Sequence, residues 1–356
     1  MKEFYKNKKV LITGHTGFKG AWLAQILLNW EAKVIGVSLK PDTIPNLFTV
    51  LGIEKKIKNN FTDIRNIDDL KKIFTKEKPE IVFHLAAQPI VRTSYDDPIG
   101  TIETNVIGTA NILDVARKTK SVKSIVIITT DKVYENKEWH HAYRENDALG
   151  GYDPYSASKA AADIVTNSYI QSFFNPKDFK KKHNTLVSIT RAGNVIGGGD
   201  WAEYRLIPDI IRAVYHDSKD VEIRNPKAIR PWQHVLEPLS GYLILGEALY
   251  NKKVYLSGAW NFGPHNESFV SVQNLVEGGK KILGKGGYKI IKDKSGKHEA
   301  GNLKLDVNKA IALLGWKPKL NFQETLNLTF DWYKNYYEKS ENVVVFTNKQ
   351  INNFFK

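Results

Sequence analysis

The chain has 356 residues, 42% of them hydrophobic and 25% charged, enough for one large globular body or a large and a small one. It has no cysteine, which excludes disulfides, a thiol nucleophile and thiolate metal sites. The net charge is +14, but the lysines are spread along the chain rather than gathered in one arm, so the charge is read as a solvated surface and not as a nucleic-acid site.

The N-terminus "MKEFYKNKKVLITG" enters a strand with no signal-peptide apolar region, and no apolar run approaches the roughly 20 residues that span a membrane. A cytoplasmic location and no membrane partner are expected. Short apolar runs at 9–14, 33–38, 81–87, 124–130 and 185–197 read as buried parallel strands. Helical patterns at 18–30, 66–77, 100–119 and 155–173 lie between them. The alternation predicts an α/β fold, a Rossmann-type doubly wound parallel sheet covered by helices on both faces. Beyond residue 195 the pattern loosens into a Gly-rich loop, short strands and helices. We therefore expect a nucleotide-binding domain over 1–195, a smaller C-terminal α/β substrate-binding lobe over 196–340 and a tail over 341–356. The tail's apolar run suits either packing on the body or a contact elsewhere.

"VLITGHTGFKGAWL" places Gly14, Gly17 and Gly20 between a strand and a helix. The first glycine permits a tight turn, the second lets a pyrophosphate approach the backbone, and the third lets helix and strand pack closely. The loop residues His15, Thr16, Phe18 and Lys19 come with this site. The second strand ends in "GVSLKPDT", without the acid that usually meets the ribose 2′-hydroxyl of NAD. Ser38 can hydrogen-bond a hydroxyl and Lys40 can meet a 2′-phosphate, so this loop leaves NAD and NADP both open.

The run at 124–130 ends in Thr129 and Thr130, followed at once by Asp131 and Lys132. An Asp-Lys pair in a loop is ordinarily a surface ion pair. Beside a strand-end hydroxyl it offers an acid and a base that a simple hydride-transfer enzyme does not need. "YSASK" then sets Tyr155 and Lys159 on one face of a helix. An ammonium about 4 Å from a phenol favours the phenolate by about 4 kcal/mol at an effective dielectric of about 20. A lowering of the Tyr155 pKa is therefore expected, and the same Lys159 can hold the nicotinamide ribose.

The GxxGxxG spacing, the strand-end Thr and the YxxxK together resemble the extended short-chain dehydrogenase/reductase superfamily. Within it, "GHTGFKGAWL", "HLAAQPIVRTSY", "TTDKVYEN", "RAGNVIGGGDWA" and "RNPKAIRPWQHVLEPLSGYL" resemble the CDP-glucose 4,6-dehydratase family over nearly the whole chain. The resemblance implies conversion of CDP-glucose to a 4-keto-6-deoxy sugar for deoxysugar biosynthesis, with NAD as catalyst rather than consumed reagent, and a homodimer or higher homo-oligomer paired through the helices at 100–119 and 155–173. Thr130 then binds the sugar 4-oxygen, Asp131 protonates the leaving 6-hydroxyl, and Lys132 is the C5 base where many dehydratases carry Glu. Asp63 and Ile64 resemble the adenine-binding pair. Ala86, Ala87, Gln88 and Thr129 are placed on the cofactor, and Arg92, Asn194, Arg205 and Arg230 on the substrate. Gln88 and Arg92 suit either ligand, and His234 suits substrate or core. A nucleotide-sugar 4-epimerase, a dehydratase for another nucleotide-hexose and a non-catalytic dinucleotide-binding protein are the competing readings. The Asp131-Lys132 pair argues against the first and the intact Tyr155-Lys159 pair against the last.

Overall fold

The computed structural model describes residues 1–217, 219–291 and 303–356. Its centre is a seven-stranded, all-parallel sheet. The first strand, β1 (Lys9–Thr13), leads through the glycine turn into α1 (Phe18–Asn29) and then β2 (Lys33–Ser38). β3 (Lys58–Phe61), α2 (Ile67–Glu77) and β4 (Ile81–His84) follow. The expected helix at 100–119 begins at Pro98 and is interrupted by a π turn at Glu103–Ile107, after which α3 (Gly108–Arg117) continues. β5 (Ser124–Ile128), α4 (Pro154–Ser172) and β6 (Leu186–Ala192) complete the expected series.

The chain returns to this sheet beyond residue 195. After α5 (Leu206–Arg212) and α6 (Leu236–Tyr250), β7 (Gly258–Phe262) pairs with β6, giving the order β7-β6-β5-β4-β1-β2-β3. The order reverses between β1 and β4, and such a switch point opens a crevice at the carboxyl ends of the strands. Both faces are buried, which is why the strands read as unbroken apolar runs. Val10 and Ile12 enter a core shared with α1, α6 and the C-terminal helices, while Leu11, Ile35 and Val37 enter a second core with α2 and α3.

α7 (Val272–Leu283) packs on α8 (Phe322–Glu338), and the described residues also form three two-stranded pairings. Residues 343–354 form α9 (Val343–Phe354), which packs back on the body. Asn348 receives hydrogen bonds from Gln25 (2.9 Å) and Asn29 (2.8 Å) of α1, and Trp332 of α8 donates to Thr347 (2.8 Å). Among the described residues no helix is long and apolar enough to cross a membrane.

Candidate active site

A cleft of about 1160 Å³ opens at the carboxyl ends of β1, β2, β4, β5 and β6. One wall is the glycine turn. Gly14 has φ +74°, and a Cβ there would lie 2.7 Å from the Ala86 backbone nitrogen. At Gly20 a Cβ would lie 2.1 Å from the Gly14 carbonyl oxygen. α1 starts at Gly17 without a side-chain cap, so its first N–H groups are left for an anion. This cradle fits a dinucleotide diphosphate. Thr16, Phe18 and Lys19 line it, and the Ser38 hydroxyl lies 2.8 Å from that of Thr16. Asp63, Ile64, Ala86 and Ala87 continue the wall. Asp63 is held below the usual carboxylate range by its hydrogen bonds from Arg65, 2.7 Å away at the closest.

Two of the expected cofactor contacts are turned elsewhere. His15 is fully buried beneath the turn, packed where a Cβ on Gly36 would sit, with Nε2 2.7 Å from Asn59 Oδ1. Burial lowers its pKa to about 4, so it is a neutral ring under the loop and not a pyrophosphate ligand. The Gln88 side chain is committed to Thr101 (2.8 Å) and to the Ile90 N–H (2.6 Å), and it does not line the cleft.

The floor carries the acid–base groups. Thr130 caps a single 3₁₀ turn, Asp131–Val133, and its hydroxyl donates to Asp131 Oδ1 at 2.9 Å. Asp131 is 3% exposed, and burial raises its pKa against the opposing pull of Lys132, Thr130 and Arg230. A raised carboxyl is what a proton donor needs. The Lys132 ammonium lies 5.9 Å from the centroid of the Tyr155 ring. Asp153 caps α4, with Pro154 in its first turn, and this fixes Tyr155 at the cleft edge.

The Tyr155 pKa does not fall as expected. Burial pushes it up to about 12, opposed by the Thr130 hydroxyl and reinforced by Asp131. Lys159 lies beneath the cleft wall with its ammonium on the Ile128 carbonyl (2.8 Å), not turned to the phenol. Burial, then the charge of Lys19, lowers Lys159 to about 7, with Asp163 opposing. Lys19 is itself lowered to about 8, mainly by burial.

On the lobe side, Arg92, Asn194, Arg205 and Arg230 line the same cleft. Arg205 donates to Asp200 at 2.9 Å, and the Arg92 guanidinium stacks 5.4 Å over the Tyr204 ring. His234 is fully buried and absent from the cleft wall. Its ring lies edge-on to Trp22 with centroids 5.9 Å apart, and burial lowers it to about 3. The structure thus places its side chain in the core, away from the cleft. Arg224 and Tyr204 also line the cleft, and the sequence reading had not singled them out. Arg224 stands in "VEIRNP", one strand from Arg230 in "AIRPWQHV", and a second arginine so close to the first was the available signal.

Residues 11–329 match the family described as GDP-mannose 4,6 dehydratase. The chain belongs to this dehydratase family. Among its relatives, the CDP-glucose 4,6-dehydratase of Salmonella typhimurium is 43% identical over 353 residues, covering 99% of this chain and 98% of the relative. Among solved structures, a dTDP-glucose 4,6-dehydratase from Bacillus anthracis superposes with a TM-score of 0.76 at 24% identity, over 93% of this chain and 98% of that one. A UDP-glucuronic acid 4-epimerase from Bacillus cereus gives 0.77 at 24% identity, over 92% and 99%. At that identity the dehydratase and epimerase structures show the fold alone.

Proposed function

We propose that this dehydratase converts CDP-D-glucose to CDP-4-keto-6-deoxy-D-glucose and water in the cytoplasm, with NAD held on the glycine cradle. One observation carries the choice of elimination over epimerisation. A buried carboxyl with a raised pKa and an amine stand on one turn beside the hydroxyl that faces Tyr155.

NAD, when bound, would supply the reversible two-electron chemistry that the sugar needs, accepting the C4 hydride and returning it to C6 after water has left. Tyr155 takes the proton of the 4-hydroxyl as a phenolate, a state that burial opposes and that the positive charge of the bound nicotinamide would favour, while Thr130 orients the 4-oxygen. The 4-ketone makes the C5 proton acidic, and Lys132, as its neutral amine, removes it. Asp131 gives its proton to the 6-hydroxyl, which leaves as water, and C5 is reprotonated from Lys132. Arg205, Arg230, Arg224 and Arg92 line the cleft and give it the positive charge to grip a diphosphate. The test is to incubate the protein with NAD and a panel of nucleotide-glucoses and follow the alkali-dependent absorbance of a 4-keto-6-deoxy sugar. It is expected with CDP-glucose. Inversion at C4 without that absorbance would favour the epimerase.

The same reading includes a homodimer through the helices around 98–117 and α4. Ile102, Ile107 and Ile164 on these helices are 43%, 51% and 55% exposed. Sedimentation of wild type and Ile164→Lys tests it, and dissociation of the variant is expected.

A further inference from the structure

The acid–base turn is short, and both of its ends meet one buried ion pair. Arg191 of β6 grips Asp163 of α4 through two parallel bonds, Nε to Oδ2 and Nη2 to Oδ1, each 2.8 Å, with the side chains 3% and 2% exposed. At one end of the turn the Thr129 hydroxyl donates to Asp163 Oδ2 at 3.3 Å and to the Thr190 carbonyl at 3.1 Å. At the other end Arg191 Nη1 donates to the Tyr134 hydroxyl at 2.8 Å. That hydroxyl donates in turn to Asn261 Oδ1 at 2.7 Å, and Asn261 Nδ2 donates to the carbonyls of Tyr143 and Asp306 at 2.9 and 3.2 Å. The residues between these ends are Thr130, Asp131, Lys132 and Val133.

A buried ion pair is a weak device for stability, because desolvation offsets most of the Coulomb gain. It is a strong device for geometry, because planar bidentate contacts fix both partners. Asp163 also lies four residues beyond Lys159 on α4, on the same helix face. One pair therefore spans the helix of the Tyr-Lys dyad and both ends of the turn.

We propose that Asp163 and Arg191, with Tyr134 as the link, are positioning residues that set the Asp131 and Lys132 side chains against the sugar. This rests on the proposed roles of Asp131 and Lys132 in elimination. Tyr134→Phe is the first variant, since it removes the link and keeps the buried ring. A displacement of about 1 Å costs about 100-fold, so kcat with CDP-glucose and NAD is expected to fall 10- to 100-fold with KM little changed. Release of the Lys132 end slows elimination more than C4 oxidation. A single turnover is then expected to build up reduced-nicotinamide absorbance beyond the wild-type level. Amide hydrogen exchange over 129–135 is expected to speed up while the rest of the sheet stays protected. Asp163→Asn is expected to give the same imbalance with a lower melting temperature.

Wild-type turnover and unchanged exchange over 129–135 in Tyr134→Phe would overturn the proposal. So would equal slowing of oxidation and elimination, which a purely structural role would give. Failure of the wild-type enzyme to convert CDP-glucose would instead strike the functional reading. In that event the exchange of 129–135 still decides whether the clamp exists.

Discussion

Gly20→Ala tests whether the glycine turn is as tightly built as the structure indicates. The added Cβ would sit 2.1 Å from the Gly14 carbonyl oxygen and 2.8 Å from the His15 Cα, where at least 3.0 Å is needed. The start of α1 and the turn must therefore separate by about 0.9 Å. The turn has no slack. Gly14 O already accepts the Gly17 N–H at 3.1 Å, and the His15 ring below it fills the space over Gly36. Overpacking costs about 1–3 kcal/mol, and loss of the Gly17–Gly14 bond adds about 1 kcal/mol. The melting temperature is expected to fall by roughly 3–5 °C. Displacing N–H groups that face a charged diphosphate weakens NAD binding by about 10- to 100-fold. Differential scanning calorimetry and a fluorescence titration with NAD read the two effects. Gly17→Ala is the control, because its Cβ meets only the Gly14 oxygen, at 3.4 Å, and wild-type melting is expected. A Gly20→Ala protein that melts and binds NAD like wild type would refute the reasoning.

Asp131→Asn keeps the shape and removes the proton. Turnover is expected to fall about 10²–10⁴-fold while reduced nicotinamide still forms on adding CDP-glucose, as seen by stopped-flow absorbance. Glu237 is 1% exposed and accepts the Lys319 and Leu320 N–H groups at 2.7 and 2.6 Å, and burial raises it to about 7. A raised folded pKa favours the fold at low pH and is lost as pH rises from about 4.5 through 7. Glu237→Gln is therefore expected to stabilise the protein by up to roughly 3 kcal/mol at pH 8 and by little near pH 5, by urea titration. Burial holds His15, His84 and His234 neutral, at about 4, 3 and 3. Their depressed values favour the fold above pH 6.5 and are lost as pH falls toward them. Urea titrations from pH 6.5 downward should show stability falling by roughly 1.4 kcal/mol per pH unit for each ring. Equal stability at pH 6.5 and 5 would contradict that.

The buried strands β1, β2, β4, β5 and β6 were legible because a strand covered on both faces must be apolar throughout. β3, "KNNF", is an edge strand with exposed ends, and no apolar run marks it. β7 begins 66 residues beyond Ala192, the last residue of β6, and only tertiary pairing places it in the sheet. The glycine cradle and the Thr130-Asp131-Lys132 turn were legible because their spacing is local. Side-chain direction was not. His15 is adjacent to Gly14 in sequence, yet its ring drops onto Gly36 on the next strand. His234 neighbours the cleft arginines in sequence and still faces Trp22. The Tyr155 pKa was misjudged because the helix register does not show how deeply the phenol is buried, which raises it, nor that the Lys159 ammonium sits on the Ile128 carbonyl.

The central claim is elimination across C5 and C6, and isotope fate tests it most directly. CDP-glucose carrying deuterium at C4 is converted in ordinary water, with a parallel run of unlabelled substrate in deuterium oxide. Mass and NMR analysis of the product is expected to find the C4 label at C6 in the first run and solvent deuterium at C5 in the second. Retention of the label at C4 with inverted configuration, and no solvent deuterium at C5, would contradict the account.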